Sequence, residues 1–338
     1  MRFLLLVDGS SMLATAFYGN LPRDENTEIL HDRHGRPTNA ILPMLRQVEK
    51  IMRVQRPDYV LFAFDKTRNT FRKDLYPDYK GNRKESPGPL REQFISIQEI
   101  LRGIGFKCIQ SDRYEADDLI ASAAKKFQDH IQVRILTKDH DYLQMVSDST
   151  RVWMVAKDQE TADAHMGNYF MYLKPGEKPD PFIRSLLPDK TWEVTRDSCR
   201  DFFGIYPEQI PDLKGLAGDT SDNIPGIRGV SEKTAVPLLQ EYGTIEGIYD
   251  SIAGMDARQI GLEWKEMFGF KRSPAGAFLK EGAKGSALLS KKLATCVPDV
   301  ALPYDLKDLR AEMDMDMRKQ LYIDYELFSL LRTNPRQS

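Results

Sequence analysis

Three short apolar runs in this chain each stop at an acidic residue or at a polar turn that leads into one, and this repeated pattern restricts the possible fold most. Phe3 to Val7 is closed by Asp8, Gly9 and Ser10; Tyr59 to Phe64 by Asp65; Ile131 to Leu136 by Thr137, Lys138 and Asp139. The unbroken apolar runs Phe3 to Val7 and Tyr59 to Phe64 have the form of strands buried on both faces, and Ile131 to Leu136, which holds Gln132 and Arg134, stops in the same way. Helix-like stretches lie around them, at Ala40 to Val54, Leu90 to Arg102 and Glu115 to Phe127. The spacing therefore predicts an α/β fold, with a mostly parallel central sheet flanked by helices. Ligands of such sheets sit beyond the carboxyl ends of the strands, where Asp8, Asp65 and Asp139 would converge.

The chain has 338 residues, 41% hydrophobic and 29% charged, enough for a sizeable core and unlike a disordered chain or a coiled coil. Residues 1–192 read as the α/β domain and 193–338 as a helical region. Residues 157–190 break the alternation: Pro175, Pro179, Pro181 and Pro188 surround the aromatic stretch Tyr169 to Tyr172, as in an irregular excursion or inserted hairpin. From about Val194 the chain turns helical with Gly-rich turns, including DNIPGIRGVSEKTA, a Leu-rich helix through Tyr242, and helices near 285–295 and 314–332. No long-period repeat or low-complexity segment is visible. Cys108, Cys199 and Cys296 are odd in number and far apart, which excludes a disulfide framework or a CxxC zinc pair and points to a reducing compartment. The N-terminal apolar run is too short for a signal-peptide core or a membrane span, so a cytoplasmic protein without a membrane partner is expected.

Acids crowd the positions that the fold would gather. Besides Asp8 and Asp65 there are Glu115, Asp117 and Asp118 in YEADDLIAS, Asp139 and Asp141 in TKDHD, and Asp219 and Asp222 in GDTSDN, nine carboxylates in all. On a helix, Glu115 and Asp118 share a face where like charges repel, while Asp117 would point elsewhere. Two carboxylates roughly 4 Å apart repel by about 4 kcal/mol at an effective dielectric of about 20, so such a pocket requires cations or raised pKa values. Oxygen-only ligands without clustered His or Cys favour Mg²⁺ or Mn²⁺ over Zn²⁺. Any one of these acids alone reads more simply as a helix cap or turn residue. Together they suit a pair of metal ions, one activating water and the other stabilising a leaving oxygen.

The overall formal charge of −2 excludes a uniformly basic nucleic-acid coat, so an anionic partner must be met by local patches. One such patch is KTRNTFRKDLYPDYKGNRK, residues 66 to 84. It has seven basic residues (Lys66, Arg68, Arg72, Lys73, Lys80, Arg83, Lys84) against Asp74 and Asp78, a balance of +5. Phe71, Tyr76 and Tyr79 are interleaved with these charges, which suits phosphate contact with base stacking. A solvated surface face is the plainer reading, but the segment follows directly on Asp65. In DNIPGIRGVSEKTAVPLLQ, Pro225, Gly226 and Gly229 make a tight turn that opens at Ser231 onto a helix, presenting backbone N–H groups to a phosphate, with Lys233 adding charge. A helix–helix connector would use similar glycines. A second basic stretch, Lys265 to Lys292, reads equally well as solvated surface.

These residues resemble the bacterial and phage 5′ nucleases, meaning flap endonucleases and the 5′ nuclease domain of DNA polymerase I. LLLVDGSSMLATAFYG, FAFD, FRKDLYPDYKGNRK, YEADDLIAS, TKDHDYLQMV and GLAGDTSDNIPGI occur in the family's order and spacing, over roughly residues 1–155 and 192–330. The resemblance implies a two-metal, structure-selective phosphodiesterase acting on DNA with a 5′ flap or 5′ end, with an RNA–DNA hybrid as a further substrate, in replication and repair. It implies a first metal near Asp8, Asp65, Glu115 and Asp117 or Asp118, and a second near Asp139, Asp141, Asp219 and Asp222. Lys80 and Arg83 would lie on a helical arch or clamp, residues 66–90, and polarise the scissile phosphate, with Tyr79 stacking on a base. Asp117 and Asp118 would take part in the chemistry, and Arg72, Lys73, Tyr76 and Lys84 would contact DNA. Residues 219–242 are similar to a helix-hairpin-helix that holds duplex through Gly226, Gly229, Ser231 and Lys233, with a potassium ion. A monomer is expected.

The sequence departs from the family at Lys138, where a Gly is usual, and at Arg228 and Ser231, where Pro and Gly are common. A PIN-like ribonuclease would also gather acids at strand ends but needs neither the basic segment nor the hairpin. A haloacid-dehalogenase phosphatase needs Asp where Ser10 stands, and a P-loop enzyme needs a GK[ST] that is absent. A non-catalytic DNA-binding relative with a decayed metal site ranks below the enzyme, because all nine acids are present.

Overall fold

The computed structural model describes residues 2–24, 27–169 and 184–332. A six-stranded sheet in the order β3-β2-β1-β4-β5-β6 forms its centre. The strands are β1 (Phe3–Asp8), β2 (Tyr59–Ala63), β3 (Lys107–Ile109), β4 (Gln132–Thr137), β5 (Thr150–Val155) and β6 (Thr191–Val194). All pairs are parallel except β5 with β6, which is antiparallel. β1 lies between β2 and β4, with Asp8 opposite Ala63 and Val7 opposite Leu136. Its residues Leu4 to Val7 are buried on both sides, Leu4 and Leu6 in the core of one face and Leu5 and Val7 in that of the other. That double burial explains the unbroken apolar run.

The helices α1 (Gly9–Gly19), α2 (Ile41–Val54), α4 (Gly88–Gly103) and α5 (Ala116–Phe127) flank the sheet, and the short α3 (Phe71–Leu75) lies in the basic segment. α2 buries Ile41, Met44, Leu45, Val48 and Ile51, the spacing of one helix face. α1 starts directly on the acid of β1: Asp8 caps it by accepting the Ser11 N–H at 2.9 Å. A Cβ at Gly9 would come within 2.5 Å of the Phe64 ring, so only glycine lets the chain turn there. Chain order reverses across β1 and β4, and the carboxyl edge at this switch is the natural ligand site.

Of the irregular excursion or inserted hairpin expected over residues 157–190, residues 159–169 form α6 (Gln159–Tyr169), and residues 170–183, with Pro175, Pro179 and Pro181, lie outside the described residues. The helical region begins with Arg196–Phe203 and Ile210–Ala217 and continues through Glu232–Tyr242 and Ala283–Ala294. Its apolar residues Leu238, Trp264 and Phe278 share one core with a face of the sheet. The chain then returns to the α/β layer. Ala311 N–H donates to the Asp58 carbonyl at 2.9 Å, and helix Met315–Asp324 is anchored by Arg318, 2.6 Å from Glu49 in a buried pair. No helix among the described residues is long and apolar enough to cross a membrane.

Candidate active site

The carboxyl edge of the sheet gathers the acids. Asp8 ends β1 and accepts from Ser11 N–H and from the Thr137 hydroxyl, at 2.9 and 3.0 Å. Asp65 follows β2; its N–H donates to the Ser10 hydroxyl at 2.8 Å, and its carboxylate accepts the Ala116 N–H of α5 at 2.9 Å. Asp139, two residues beyond β4, accepts the Asp141 N–H at 2.9 Å. Carboxylate oxygens of Asp117, Asp139 and Asp141 all lie within 4.8 Å of one another. Asp117 thus faces the cluster, against the expectation that it would point elsewhere. The α5 N-terminus explains this, because Glu115 is the cap rather than a residue of the first turn, and Glu115 and Asp118 form a reciprocal capping box.

Asp118 is the acid that does not join. It is fully buried, takes a bidentate pair from Arg72 at 2.7 and 2.8 Å, and accepts the N–H groups of Glu115 and Val297. Its expected role in metal binding and chemistry gives way to a buried ion pair. Arg72 is equally enclosed and also donates to the carbonyls of Leu293 and Thr295, at 2.8 and 3.0 Å, so it is no DNA contact. Tyr79 is likewise turned inward: it is 3% exposed, and its hydroxyl lies 3.1 Å from Glu115 and 3.0 Å from Asp222, which leaves no ring face for a base. Tyr76 packs in the same small core, Lys73 lines the cleft beside Asp65, and Lys84 is exposed.

The basic segment carries one short helix, and its remaining turns are pinned to the GDTSDN loop. Lys80 N–H donates to the Asp222 carbonyl, Asn82 to Thr220 and Asn223 to Asp78, at 2.8, 2.6 and 2.7 Å. Of the helical arch or clamp that the resemblance implies over residues 66–90, the structure forms the short α3 and the first turn of α4, joined by these turns. Lys80, held at φ 52°, brings its ammonium 2.8 Å from Glu115 and 3.5 Å from Asp222, and Arg83 pairs with Asp222. A non-glycine residue in this left-handed region is strained, at a cost of about 1–3 kcal/mol that the surrounding contacts must offset. Both cations thus reach the acids. Lys214 reaches them too, pairing with Asp141 and lying 2.6 Å from Asp219, and sequence reasoning missed it. The available signal was a lone cation in a helix ending just before the GDTSDN acids.

Electrostatics divides the acids into two sets. Burial, with Asp65 and Asp139 nearby, raises Asp8 to about 7. Burial first, and then neighbouring acids, also raise Asp117 and Asp139. Burial would raise Asp219, Asp222 and Glu115 as well, but their cations override it. Lys214 and Ser221 hold Asp219 at about 2, Lys80 and Arg83 lower Asp222, and Lys80 and Arg72 lower Glu115. In the first set Lys80 and Lys214 offset the charge of Asp117 and Asp139 only in part, and the set offers only oxygen ligands, so its donor chemistry fits hard divalent cations. Because the ligands must be deprotonated, Mg²⁺ binding is expected to release protons near neutral pH and to tighten as pH rises through about 7. Calorimetry in two buffers of different ionisation enthalpy checks this; an affinity independent of pH and buffer would contradict it.

Beyond the acids, Gly226 (φ 59°) approaches Gly218 so closely that a Cβ would lie 2.2 Å from the Gly218 nitrogen. Ser286 and Ser290 fix this turn by bonding to the Gly226 carbonyl and N–H, at 2.6 and 2.9 Å. Gly229 follows at φ 92°, and Ser231 occupies the N-cap position of helix Glu232–Tyr242 without a side-chain capping bond, with Ser231 and Lys233 exposed.

A mostly parallel α/β sheet with acids at its carboxyl edge, beneath a basic segment and beside a glycine-built hairpin, defines a class of α/β proteins whose sheet edge is suited to divalent ions and an anionic ligand. The chain belongs to the 5′-3′ exonuclease family: the family's N-terminal resolvase-like domain matches residues 3–170 and its C-terminal SAM fold matches residues 205–316. A 5′-3′ exonuclease of Aquifex aeolicus is 30% identical over 98% of this chain and 95% of its own length. DNA polymerase I of Bacillus caldotenax is 33% identical over 90% of this chain, which spans only 29% of that relative's length. In structure, a bacteriophage T5 flap endonuclease in complex with DNA and metal ions superposes with a TM-score of 0.58 at 17% identity, covering 96% of this chain and 100% of that one.

Proposed function

We propose that the protein is a structure-selective 5′ nuclease that hydrolyses DNA phosphodiesters at a 5′ end or flap during replication and repair. The observation that carries this reading is the convergence of Asp8, Asp117, Asp139 and Asp141 at one sheet edge, with Lys80, Arg83 and Lys214 around them. Asp8, Asp65, Asp117, Asp139 and Asp141 would hold two Mg²⁺ or Mn²⁺ ions, with Glu115, Asp219 and Asp222 completing the site from its cationic rim. Bound divalent ions supply an activated water and stabilise the leaving oxygen of an in-line displacement. The chain's own side chains do the rest. Lys80 and Arg83 bind the non-bridging oxygens of the scissile phosphate and favour its developing charge.

A cleft of about 800 Å³ between the basic segment and α4, lined by Lys66, Arg68, Lys73 and Arg91, takes the unpaired 5′ strand, DNA or RNA. A second, of about 920 Å³, leads from Asp139 to Ser231 and takes duplex, the hairpin N–H groups and Lys233 meeting phosphates. A potassium ion at the hairpin would rest on its backbone carbonyls. The protein acts as a monomer in this reading. Cleavage of flapped, nicked and blunt duplexes in Mg²⁺ tests it: the flapped duplex should be cut fastest, and equal rates on all three would exclude structure selection. Lys80→Ala should slow single-turnover cleavage roughly 100-fold while changing Kd by less than about threefold. Equal losses in rate and affinity would make Lys80 a binding contact only.

A further inference from the structure

Among the described residues, three buried side-chain polar atoms have no hydrogen-bond partner: Gln55 Oε1 and the hydroxyls of Tyr142 and Tyr322. Gln55 ends α2, and Tyr322 lies beside Glu49 and Arg318. Tyr142 alone stands at the acid cluster, with Asp117 as its foremost neighbour and Asp8 and Asp65 behind it. It follows Asp141 directly, in the 3₁₀ turn His140–Met145 that Asp139 caps. Its ring is fully buried and shares one core with Leu119 and Ile120 of α5, the helix whose first turn carries Asp117.

Asp117 is the matching half of this arrangement. The other acids of the cluster are each ordered by a group of the chain: Asp8 by the Ser11 N–H and the Thr137 hydroxyl, Asp65 by the Ala116 N–H, Asp139 by the Asp141 N–H, and Asp141 by Lys214. No such hydrogen bond or ion pair holds Asp117 among the described residues. An enclosed hydroxyl without a partner destabilises the fold that contains it, and a native structure that keeps one calls for a reason. Filling the core is not that reason, because phenylalanine would occupy the same space without the unpaired oxygen. A ligand at the acids supplies one: carboxylates that hold a metal ion are themselves hydrogen-bonded, which fixes the oxygen they offer to the ion.

We propose that Tyr142 is a positioning residue of the divalent site, its hydroxyl donating to the Asp117 carboxylate when metal is bound and holding that side chain in place as a ligand. The inference rests on the metal-dependent nuclease reading and deepens it by a residue that meets neither DNA nor the ions. Removal of the hydroxyl should then act in opposite directions on the two states. The metal-free protein loses an unpaired donor, whereas the loaded protein loses a bond.

Tyr142→Phe keeps the ring and removes the hydroxyl. Mn²⁺ is titrated by calorimetry into the metal-free protein without DNA, and urea unfolding is followed in chelator. The variant should bind Mn²⁺ about tenfold more weakly than the parent. Its urea midpoint in chelator should equal or exceed the parent's. Tyr322→Phe, which removes the unpaired hydroxyl remote from the acids, should leave Mn²⁺ affinity within about twofold. Equal Mn²⁺ affinity in the parent and Tyr142→Phe, or the same loss in Tyr322→Phe, would overturn the assignment. A lower urea midpoint for Tyr142→Phe in chelator would overturn it as well, by making the hydroxyl a bonded part of the metal-free fold. A parent that takes up no Mn²⁺ is a different result: it would overturn the metal-dependent reading, and this inference with it.

Discussion

Asp141→Asn is expected to slow cleavage of a 5′-flapped duplex by about three orders of magnitude, roughly 4 kcal/mol of transition-state stabilisation. Asp141 is 7% exposed and shares the 4.8 Å cluster with Asp117 and Asp139. The amide keeps the size of the side chain but removes a negative charge from the set that must attract divalent ions. Lys214 loses one partner and keeps Asp219 at 2.6 Å, so the fold around it should persist. The hairpin is formed by Gly218, Gly226, Ser286 and Ser290, none of which touches Asp141, so duplex affinity should be nearly unchanged. Single-turnover cleavage and anisotropy titrations separate the two quantities. Undiminished turnover would place the chemistry elsewhere.

Arg72→Ala should act on stability instead of on DNA contact. Arg72 pairs with buried Asp118 and donates to two carbonyls of the segment 293–295, tying α3, α5 and the end of helix Ala283–Ala294 together. Its removal leaves the enclosed Asp118 side chain without its partner, which costs about 3–5 kcal/mol. Urea unfolding measures this. Replacing both partners, Arg72→Met with Asp118→Leu, should recover part of the loss; the N–H groups of Glu115 and Val297 would still lack their acceptor. Unchanged stability with weaker DNA binding would restore Arg72 to the phosphate-contact role that its basic surroundings suggested.

The contrast between Arg72 and Lys80 shows what could be read from the sequence. Apolar runs and their terminal acids record burial on both faces, so β1, β2, β4 and the meeting of Asp8, Asp65 and Asp139 were legible. α1 was not, because GSSMLATAFYG has a weak apolar stripe and starts at a glycine that reads as a turn. β3 has only three residues and little pattern to show. Within the basic segment, charge and spacing cannot tell a cation that meets a phosphate from one that meets a buried acid. Arg72 and Tyr79 turn inward because Asp118, Glu115 and Asp222, distant in the chain, meet them there. The same long-range pairing hid Lys214, whose partner Asp141 lies 73 positions away. The orientation of Asp117 depended on one residue of helix phase, with Glu115 as the cap, and a local pattern does not fix helix ends that finely.

The most direct test follows release of a labelled 5′ flap by the intact protein, first stripped with chelator and then given increasing Mg²⁺ or Mn²⁺. The account predicts no cleavage in chelator, full recovery with either ion, and no recovery in a protein carrying Asp117→Asn and Asp139→Asn. Cleavage that persists without divalent ions, or that survives loss of both carboxylates, would contradict it.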